Sequence, residues 1–360
     1  MRNFTVLAAI CVMTLMGRAS AAPLNLAHVA ANAKWVAHLD LDAVRASTVV
    51  QRAWEKGTTK HPEAKHRLAM VSAMLGMDPT TDIHGITFYG AGYGKAAGVM
   101  IIAGDMNSER LLGLTKVFPG RETTKQGDRE LHSWRKGAKT VAAIFQSEKL
   151  LIIGASADDV GAALQVIDGE AESVAADGPL GGNIPAGTTF LLRADGIAGA
   201  KLPCKAPVVK LIDSLRMVTG ESEGTSFFRA RLEMTNRDAT ELGLQAVKGW
   251  QAQGNLLCPD ELGRKFINAL RPAAEGETLT LLWKASADDV WDALQNLEKA
   301  IAKKMARHQK HAKPGRCPLC AACESGRCPL CPSHEEGCPC DACKKPQDEA
   351  AKSVAPEEDF

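Results

Sequence analysis

The hexapeptide Ala-Ser-Ala-Asp-Asp-Val occupies residues 155–160 and recurs letter for letter at residues 285–290. An apolar run precedes each copy and a helical spacing of apolar residues follows it, which predicts a strand, a cap and a helix. In each copy the serine and the second aspartate form a capping box, whose oxygens accept hydrogen bonds from free backbone N–H groups at the helix start. The repeat therefore predicts a duplicated strand–helix unit, and its acidic pairs are interpreted as structural.

A second match supports the duplication. Leu-Gly-Leu at residues 112–114 recurs at residues 242–244, and this offset is the same as that between the two hexapeptides. Further upstream, residues 35–42 correspond to residues 190–195 at a larger offset. The first copy therefore contains about 25 additional residues. We expect these to include a helix around residues 64–75.

The overall pattern of apolar runs and turns predicts an α+β fold. Frequent tight turns between strands favour mostly antiparallel pairing. We expect two tandem related halves, each an antiparallel sheet with flanking helices, at residues 22–173 and 188–311. A Gly- and Ala-rich linker, residues 174–187, joins them. The pattern leaves open whether the two halves share one sheet.

The N-terminus has the three parts of a secretory signal peptide. Arg2 precedes an uncharged apolar run from Phe4 to Met16, and the small residues Ala19-Ser20-Ala21 follow. The apolar run is shorter than the roughly 20 residues that a membrane-spanning helix needs. We expect residues 1–21 to be removed and the remainder to be exported, to the periplasm or the extracellular space, with no transmembrane segment.

The segment from Trp35 to Ser47 resembles the opening of uncharacterised exported bacterial proteins. The resemblance covers the stretch Trp-Val-Ala-His-Leu-Asp-Leu-Asp-Ala-Val-Arg-Ala-Ser. It implies export and no particular activity.

The composition argues against nucleic acid or an anionic membrane surface as a partner. The formal net charge is +1, and aromatic residues make up 5% of the chain. No global positive field therefore attracts a polyanion, and few aromatic rings are present on which bases could stack. A protein partner remains open.

No motif in the chain predicts catalysis. The glycines of residues 90–94 lie between two apolar strands rather than before a helix, so they predict a hairpin turn and not a phosphate-binding loop. His61 and His66 are five positions apart and do not share a helix face, which favours a solvated surface. His38, Asp40 and Asp42 alternate along a strand and are interpreted as its polar face. We expect a non-enzymatic protein.

The C-terminal region contains the strongest chemical signal. Eight cysteines fall between positions 317 and 343, and Cys-Pro-Leu-Cys occurs twice. A C-x-x-C step lets two thiolates bind one tetrahedral ion, and soft sulfur ligands suit zinc, Cu(I) and similar ions. Residues 312–343 have almost no other apolar side chains, so this module has no core of its own, and metal or disulfides must tie it or it stays disordered. The predicted metal ligands are Cys317, Cys320, Cys323, Cys328, Cys331, His334, Cys338, Cys340 and Cys343.

Two alternatives to the metal site remain open for this module. Eight is an even number and an exported protein meets oxidising conditions, so the cysteines could form four structural disulfides in an envelope interaction protein. A thiol–disulfide redox protein is the second alternative, although no thioredoxin-like context surrounds the C-x-x-C pairs.

In the body, Cys204 and Cys258 are a possible disulfide. The final residues, 344–360, have the composition of a disordered tail.

Overall fold

The computed structural model describes residues 23–94, 98–116, 120–136, 139–200, 207–258 and 260–311. Residues Met1–Trp291 belong to one unit, which contains the whole of the sheet, and Asp292–Phe360 belong to a second. The predicted signal peptide, the Cys-rich module and the terminal residues 344–360 lie outside the described residues.

The described residues form an α+β fold with antiparallel strand pairing throughout, as predicted. The strands are β1 (Trp35–Asp40), β2 (Ile83–Gly90), β3 (Val99–Gly104), β4 (Arg121–Gln126), β5 (Arg129–Lys136), β6 (Lys139–Ser147), β7 (Leu150–Gly154), β8 (Thr188–Asp195), β9 (Ile212–Ser222), β10 (Thr225–Met234), β11 (Arg271–Glu275) and β12 (Thr278–Ser286). The helices are α1 (Leu41–Ala46), α2 (Thr48–Lys60), α3 (Pro62–Leu75), α4 (Ser108–Thr115), α5 (Ala157–Ile167), α6 (Arg237–Leu257), α7 (Glu261–Ala269) and α8 (Ala287–His311).

All these strands belong to one continuous sheet. Its order is β11-β12-β10-β9-β8-β1-β2-β3-β7-β6-β5-β4. Strands β1 and β8, which open the two halves, pair at the centre, and the order β1-β2-β3-β7 on one side repeats as β8-β9-β10-β12 on the other. The two related halves therefore share a sheet, which the sequence pattern left open.

The pairing of β1 with β8 has the register of a twofold repeat. Ala37 faces Leu192, and these two residues are equivalents in the alignment of the copies. Two residues before Ala37, Trp35 pairs with the residue equivalent to Leu39. Two residues after Ala37, Leu39 pairs with the residue equivalent to Trp35. The central strand pair thus relates the two halves by an approximate twofold axis.

The duplicated hexapeptide forms the same cap in both halves. Ser156 Oγ accepts a hydrogen bond from the Asp159 backbone N–H at 3.1 Å, and Ser286 Oγ accepts one from Asp289 at 3.1 Å. Each serine hydroxyl also donates to the carboxylate of its aspartate, at 2.7 and 2.8 Å. The structure confirms that these acidic pairs begin helices α5 and α8.

The halves differ where the sequence copies diverge. The first half contains α2 and α3 between its first two strands, and α3 confirms the helix expected around residues 64–75. The first half also contains the hairpin β4–β5, whereas the second contains α7 in the corresponding interval. Strands β2 and β3 pair directly, which confirms the hairpin expected around residues 90–94.

A carboxylate on β9 joins the two halves. Glu221 accepts hydrogen bonds from the Ser47 hydroxyl at 2.7 Å and from the backbone N–H groups of Thr48 and Val49 at 2.9 and 3.3 Å. It therefore caps the start of α2 from the second half. Burial alone raises the pKa of Glu221, but these hydrogen bonds outweigh it and lower the pKa overall.

The described residues form two buried apolar clusters, and the larger one, centred on the first half, also includes Leu191 of β8. In the first half Ile144 and Ile152 of the sheet pack with Val160 and Leu164 of α5. Full burial of such a side chain contributes about 1.5–3 kcal/mol, so this face fixes α5 on the sheet. In the second half a smaller cluster forms around α6, with Met234, Ala239, Leu244 and Leu279.

None of the helices in the described ranges has the length and apolar character that membrane crossing requires.

Candidate functional site

The predicted metal ligands between residues 317 and 343, together with Cys204, lie outside the described residues. Cys258 is the cysteine within them, directly after α6 and partly exposed. Its Sγ lies 3.6 Å from the Asp260 carboxylate, and it forms no disulfide with another described residue. The disulfide with Cys204 therefore stays a prediction.

One candidate site is a cavity of about 710 Å³ at the junction of β1 and α1. Its lining combines apolar and ionisable side chains. The lining includes Pro23, Leu24, His38, Asp40, Asp42, Arg45, Ile184, Thr188 and Leu191.

Asp40 ends β1 and begins α1. Its Oδ1 accepts a hydrogen bond from the Ala43 N–H at 2.8 Å, so the chain turns into a helix at this residue. The prediction that His38, Asp40 and Asp42 share a strand face is therefore wrong for Asp42, which belongs to α1. Alternation along a strand holds only while the strand continues, and the capping aspartate ends it.

His38 and Asp40 are both buried beside this cavity, each with 5% of its surface exposed. His38 Nδ1 lies 2.9 Å from the Thr87 hydroxyl on the neighbouring strand. Burial raises the pKa of the Asp40 carboxyl, and the Ala43 N–H and the nearby His38 only partly offset this rise. Asp40 thus caps the start of α1, and its buried surroundings disfavour the charged form of its carboxyl group.

Asp42 forms the centre of a polar cluster beside the same cavity. It pairs with Arg45, and His84 Nδ1 lies 3.1 Å from its carboxylate. Arg45 also donates to the carbonyl oxygens of Thr80 and Ile83, at 2.9 and 3.0 Å. The hydrogen bond to Asp42 raises the pKa of His84. Within the described ranges no three His, Cys, Asp or Glu side chains are grouped to hold a metal ion, and this cluster mainly joins α1 to β2.

The second candidate site is a row of arginines across the second half of the sheet. Arg193 on β8 is directly paired with Arg216 on β9, and Arg216 is directly paired with Arg231 on β10. Directly paired residues lie on the same face of a sheet, so three guanidinium groups come from neighbouring positions. Arg229, two positions before Arg231, lies on this face as well.

These arginines line a pocket of about 320 Å³. Arg193 is its buried member, with 3% of its surface exposed, whereas Arg216, Arg229 and Arg231 are exposed. The rest of the lining comes from the linker and from neighbouring strands, including Gly182, Asn183, Pro185, Val218, Thr280 and Leu282. Among the described residues, those that line the pocket include four arginines and no acidic side chain. It shares Pro185 with the larger cavity.

Backbone oxygens of the linker accept hydrogen bonds from two of the arginines. Arg193 donates to the carbonyls of Leu180, Gly182 and Asn183, at 2.8, 3.1 and 3.3 Å. Arg216 donates to the carbonyls of residues 178 and 179, at 3.2 and 3.1 Å. The linker is therefore held against the sheet at the edge of the pocket.

Sequence reasoning missed this row because its members are far apart along the chain. Each arginine lies in a strand among apolar or small residues, and strand alternation alone could have placed Arg229 and Arg231 on one face. Placing these two residues beside Arg193 and Arg216 also requires knowledge of the register in which β8, β9 and β10 pair. The near-zero net charge gave no sign of a local positive cluster.

No protein-family model matches the chain, and no curated protein matches it. Among solved structures, crystal form III of TP0453 is similar with a TM-score of 0.40 and 9% identity, covering 76% of this chain and 99% of that chain. Crystal form I of TP0453 gives a TM-score of 0.40 and 10% identity, over 77% of this chain and 98% of that chain. A TM-score of this size supports no conclusion about a shared function.

Proposed function

We propose that this is an exported, non-enzymatic protein whose C-terminal Cys-rich module, residues 312–343, binds zinc or another soft metal ion. The observation that supports the proposal is the density of thiols, with eight cysteines between positions 317 and 343. A segment with so few apolar side chains cannot order itself by burying a core, so it is either ordered by bound metal or covalent cross-links or stays disordered.

The spacing of the cysteines favours metal. The two Cys-Pro-Leu-Cys steps, Cys317 to Cys320 and Cys328 to Cys331, supply four thiolates. That number completes a tetrahedral structural zinc site, and folding of such a site is driven by metal binding. Four cysteines and one histidine remain for a second ion or for a shared thiolate cluster, namely Cys323, His334, Cys338, Cys340 and Cys343.

Export is the second part of the proposal, and the N-terminal pattern of residues 1–21 supports it. A chain that crosses a membrane unfolded acquires its metal outside the cytoplasm. The even number of cysteines in the module also suits disulfides in such a compartment. An envelope interaction protein with a disulfide-stapled tail is therefore the competing function, followed by a thiol–disulfide redox protein.

Metal content measured on matched cysteine variants tests the proposal. The full-length protein is expressed with export and purified without chelators, and bound metal is quantified by elemental analysis. The test variant replaces four cysteines with serine together, at Cys317, Cys320, Cys328 and Cys331. The control is Cys258→Ser, which removes the described cysteine that lies outside the module.

We expect the fourfold variant to lose at least one equivalent of metal and the control to keep all of it. Circular dichroism checks that both variants retain the folded sheet. Equal metal content in the wild-type protein and the fourfold variant would contradict the proposal. A metal-free wild-type protein with oxidised cysteines would favour the disulfide-stapled alternative.

A further inference from the structure

The arginine row gathers more positive charge than the fold uses. An arginine stays charged at any physiological pH, and like charges at directly paired sheet positions destabilise the pairing. Burial, together with the positive charge of Arg216, lowers the pKa of Arg193. Both donate hydrogen bonds to carbonyl oxygens of the linker, which are neutral and do not balance the two positive charges.

One carboxylate balances part of this charge. Glu233 accepts a hydrogen bond from Arg231 Nε at 2.8 Å, and the Thr278 hydroxyl also donates to it at 2.8 Å. Glu233 does not line the pocket. Four arginines against one carboxylate leave a net positive charge facing the pocket, in a chain whose overall charge is close to zero.

Arg229 is the member of the row that has no hydrogen-bond partner among the described residues. Its guanidinium carbon lies 5.6 Å from the centre of the Phe227 ring, a stacking contact that leaves its N–H groups available. Arg229 lines the pocket and is exposed, whereas Arg193 is buried. A ligand in the pocket could therefore accept hydrogen bonds from Arg229 without displacing any contact that the fold needs.

The opposite face of the same strands has an ordinary packing role. Leu232 and Leu279 are directly paired on β10 and β12 and pack with Leu244 of α6. Neighbouring residues on a strand alternate between faces, so Arg231 and Thr280 lie on the other face. The α6 cluster thus accounts for one face of this half of the sheet. On the arginine face Leu191 and Val218 pack with the larger apolar cluster, and that packing does not account for the exposed guanidinium groups beside them.

We propose that the arginine pocket is a binding site for a small, multiply charged oxyanion, bearing either phosphate groups or clustered carboxylates. Guanidinium groups bind both kinds of oxygen through paired, charge-assisted hydrogen bonds. A volume of about 320 Å³ suits a compact ligand such as pyrophosphate or citrate. Oxyanion binding at this pocket does not require the metal proposed for the Cys-rich module.

Calorimetric titration of the full-length protein with pyrophosphate, and separately with citrate, tests this site. The test variant is Arg229→Gln, which removes one charge and no hydrogen bond to a described residue. Its conservative partner is Arg229→Lys, which keeps the charge and loses the planar fork. The matched control is Arg135→Gln, which makes the same change at an exposed arginine on β5.

We expect saturable binding of at least one of the two anions, weakened about tenfold by Arg229→Gln, less by Arg229→Lys and not at all by Arg135→Gln. Binding of pyrophosphate alone would assign the site to phosphates, and binding of citrate alone would assign it to carboxylates. The site is refuted if neither anion binds at millimolar concentration. Equal weakening by Arg229→Gln and Arg135→Gln would also refute it, because binding would then follow net charge alone.

Discussion

Arg193 and Arg216 occupy directly paired positions on the adjacent antiparallel strands β8 and β9. Both donate hydrogen bonds to backbone carbonyls of the linker between the two halves of the chain. The pair therefore has two consequences: it fastens the linker to the sheet, and it begins a row of positive charge that Arg231 and Arg229 extend. These consequences separate experimentally, because the first requires Arg193 and the second requires Arg229.

Replacing Arg193 with methionine should destabilise the protein by about 2–4 kcal/mol. The change removes three hydrogen bonds and leaves the carbonyl oxygen of the buried Leu180 without this donor. Arg229→Met, at an exposed position, should change the free energy of unfolding by no more than about 0.5 kcal/mol. Urea unfolding followed by circular dichroism measures both. Equal costs for the two variants would show that Arg193 does not anchor the linker.

Replacing Glu221 with glutamine should cost about 1–2 kcal/mol at neutral pH. The carboxylate caps α2 through three hydrogen bonds, and its negative charge favours the positive end of that helix. The matched control is Glu223→Gln, on the exposed turn between β9 and β10. Thermal unfolding of the wild type and the two variants checks the result. An equal change in unfolding temperature in both variants would contradict the capping role.

Glu221→Gln should also change how the free energy of unfolding depends on pH in acid. The folded state lowers the pKa of Glu221 below its ordinary value of 4.5. A lowered carboxyl pKa contributes stability that is complete above the unfolded value and is lost as the pH falls through the folded value. The gap in unfolding free energy between wild type and Glu221→Gln should therefore narrow in acid. A gap that stays constant between neutral pH and pH values well below 4 would contradict this assignment.

His84 should titrate above its ordinary pKa of 6.5, because its hydrogen bond to Asp42 favours the charged form. A raised histidine pKa contributes stability that is full below the unfolded value and is lost as the pH rises through the folded value. NMR titration of the imidazole signals in the wild type and in Asp42→Asn measures the shift. The comparison is Asp105→Asn, which should lower the pKa of His84 by less than Asp42→Asn does, because Asp105 lies farther away, at 3.5 Å, and raises that pKa less. A His84 pKa that Asp42→Asn leaves unchanged would overturn the account.

The duplicated caps should make similar contributions. Ser156→Ala and Ser286→Ala each remove a hydroxyl that caps a helix with the same geometry, at an expected cost of about 1 kcal/mol each. Ser214→Ala on β9 is the control, because the Ser214 hydroxyl forms no hydrogen bond with a described residue. Urea unfolding compares the three variants, and a cost at only one cap would show that the repeated sequence is not equivalent in energy.

The fold class was predictable because its signals are local. The hexapeptide at residues 155–160 and 285–290 contains its own strand end, cap and helix start, so its meaning did not depend on the rest of the chain. The sharing of one sheet by the two halves was not predictable. It depends on the pairing of β1 with β8, two strands that are far apart along the chain.

The candidate sites differ in the same way in how far the sequence predicts them. The Cys-rich module is visible in sequence because its ligands are close together along the chain. The arginine row is assembled by register from three strands, and net charge conceals it. Asp42 was placed on a strand face because strand alternation gives no sign of where a strand ends; the cap formed by Asp40 ends it.

Mass spectrometry of the exported, full-length protein, purified without chelators, tests the central claim about the Cys-rich module most directly. The protein is measured under native conditions, then denatured with metal removed and treated with a thiol-alkylating reagent. We predict one or two bound ions in the native spectrum and alkylation of all eight cysteines from Cys317 to Cys343 after denaturation. A metal-free protein whose eight cysteines resist alkylation until a reductant is added would contradict the claim and identify a disulfide staple.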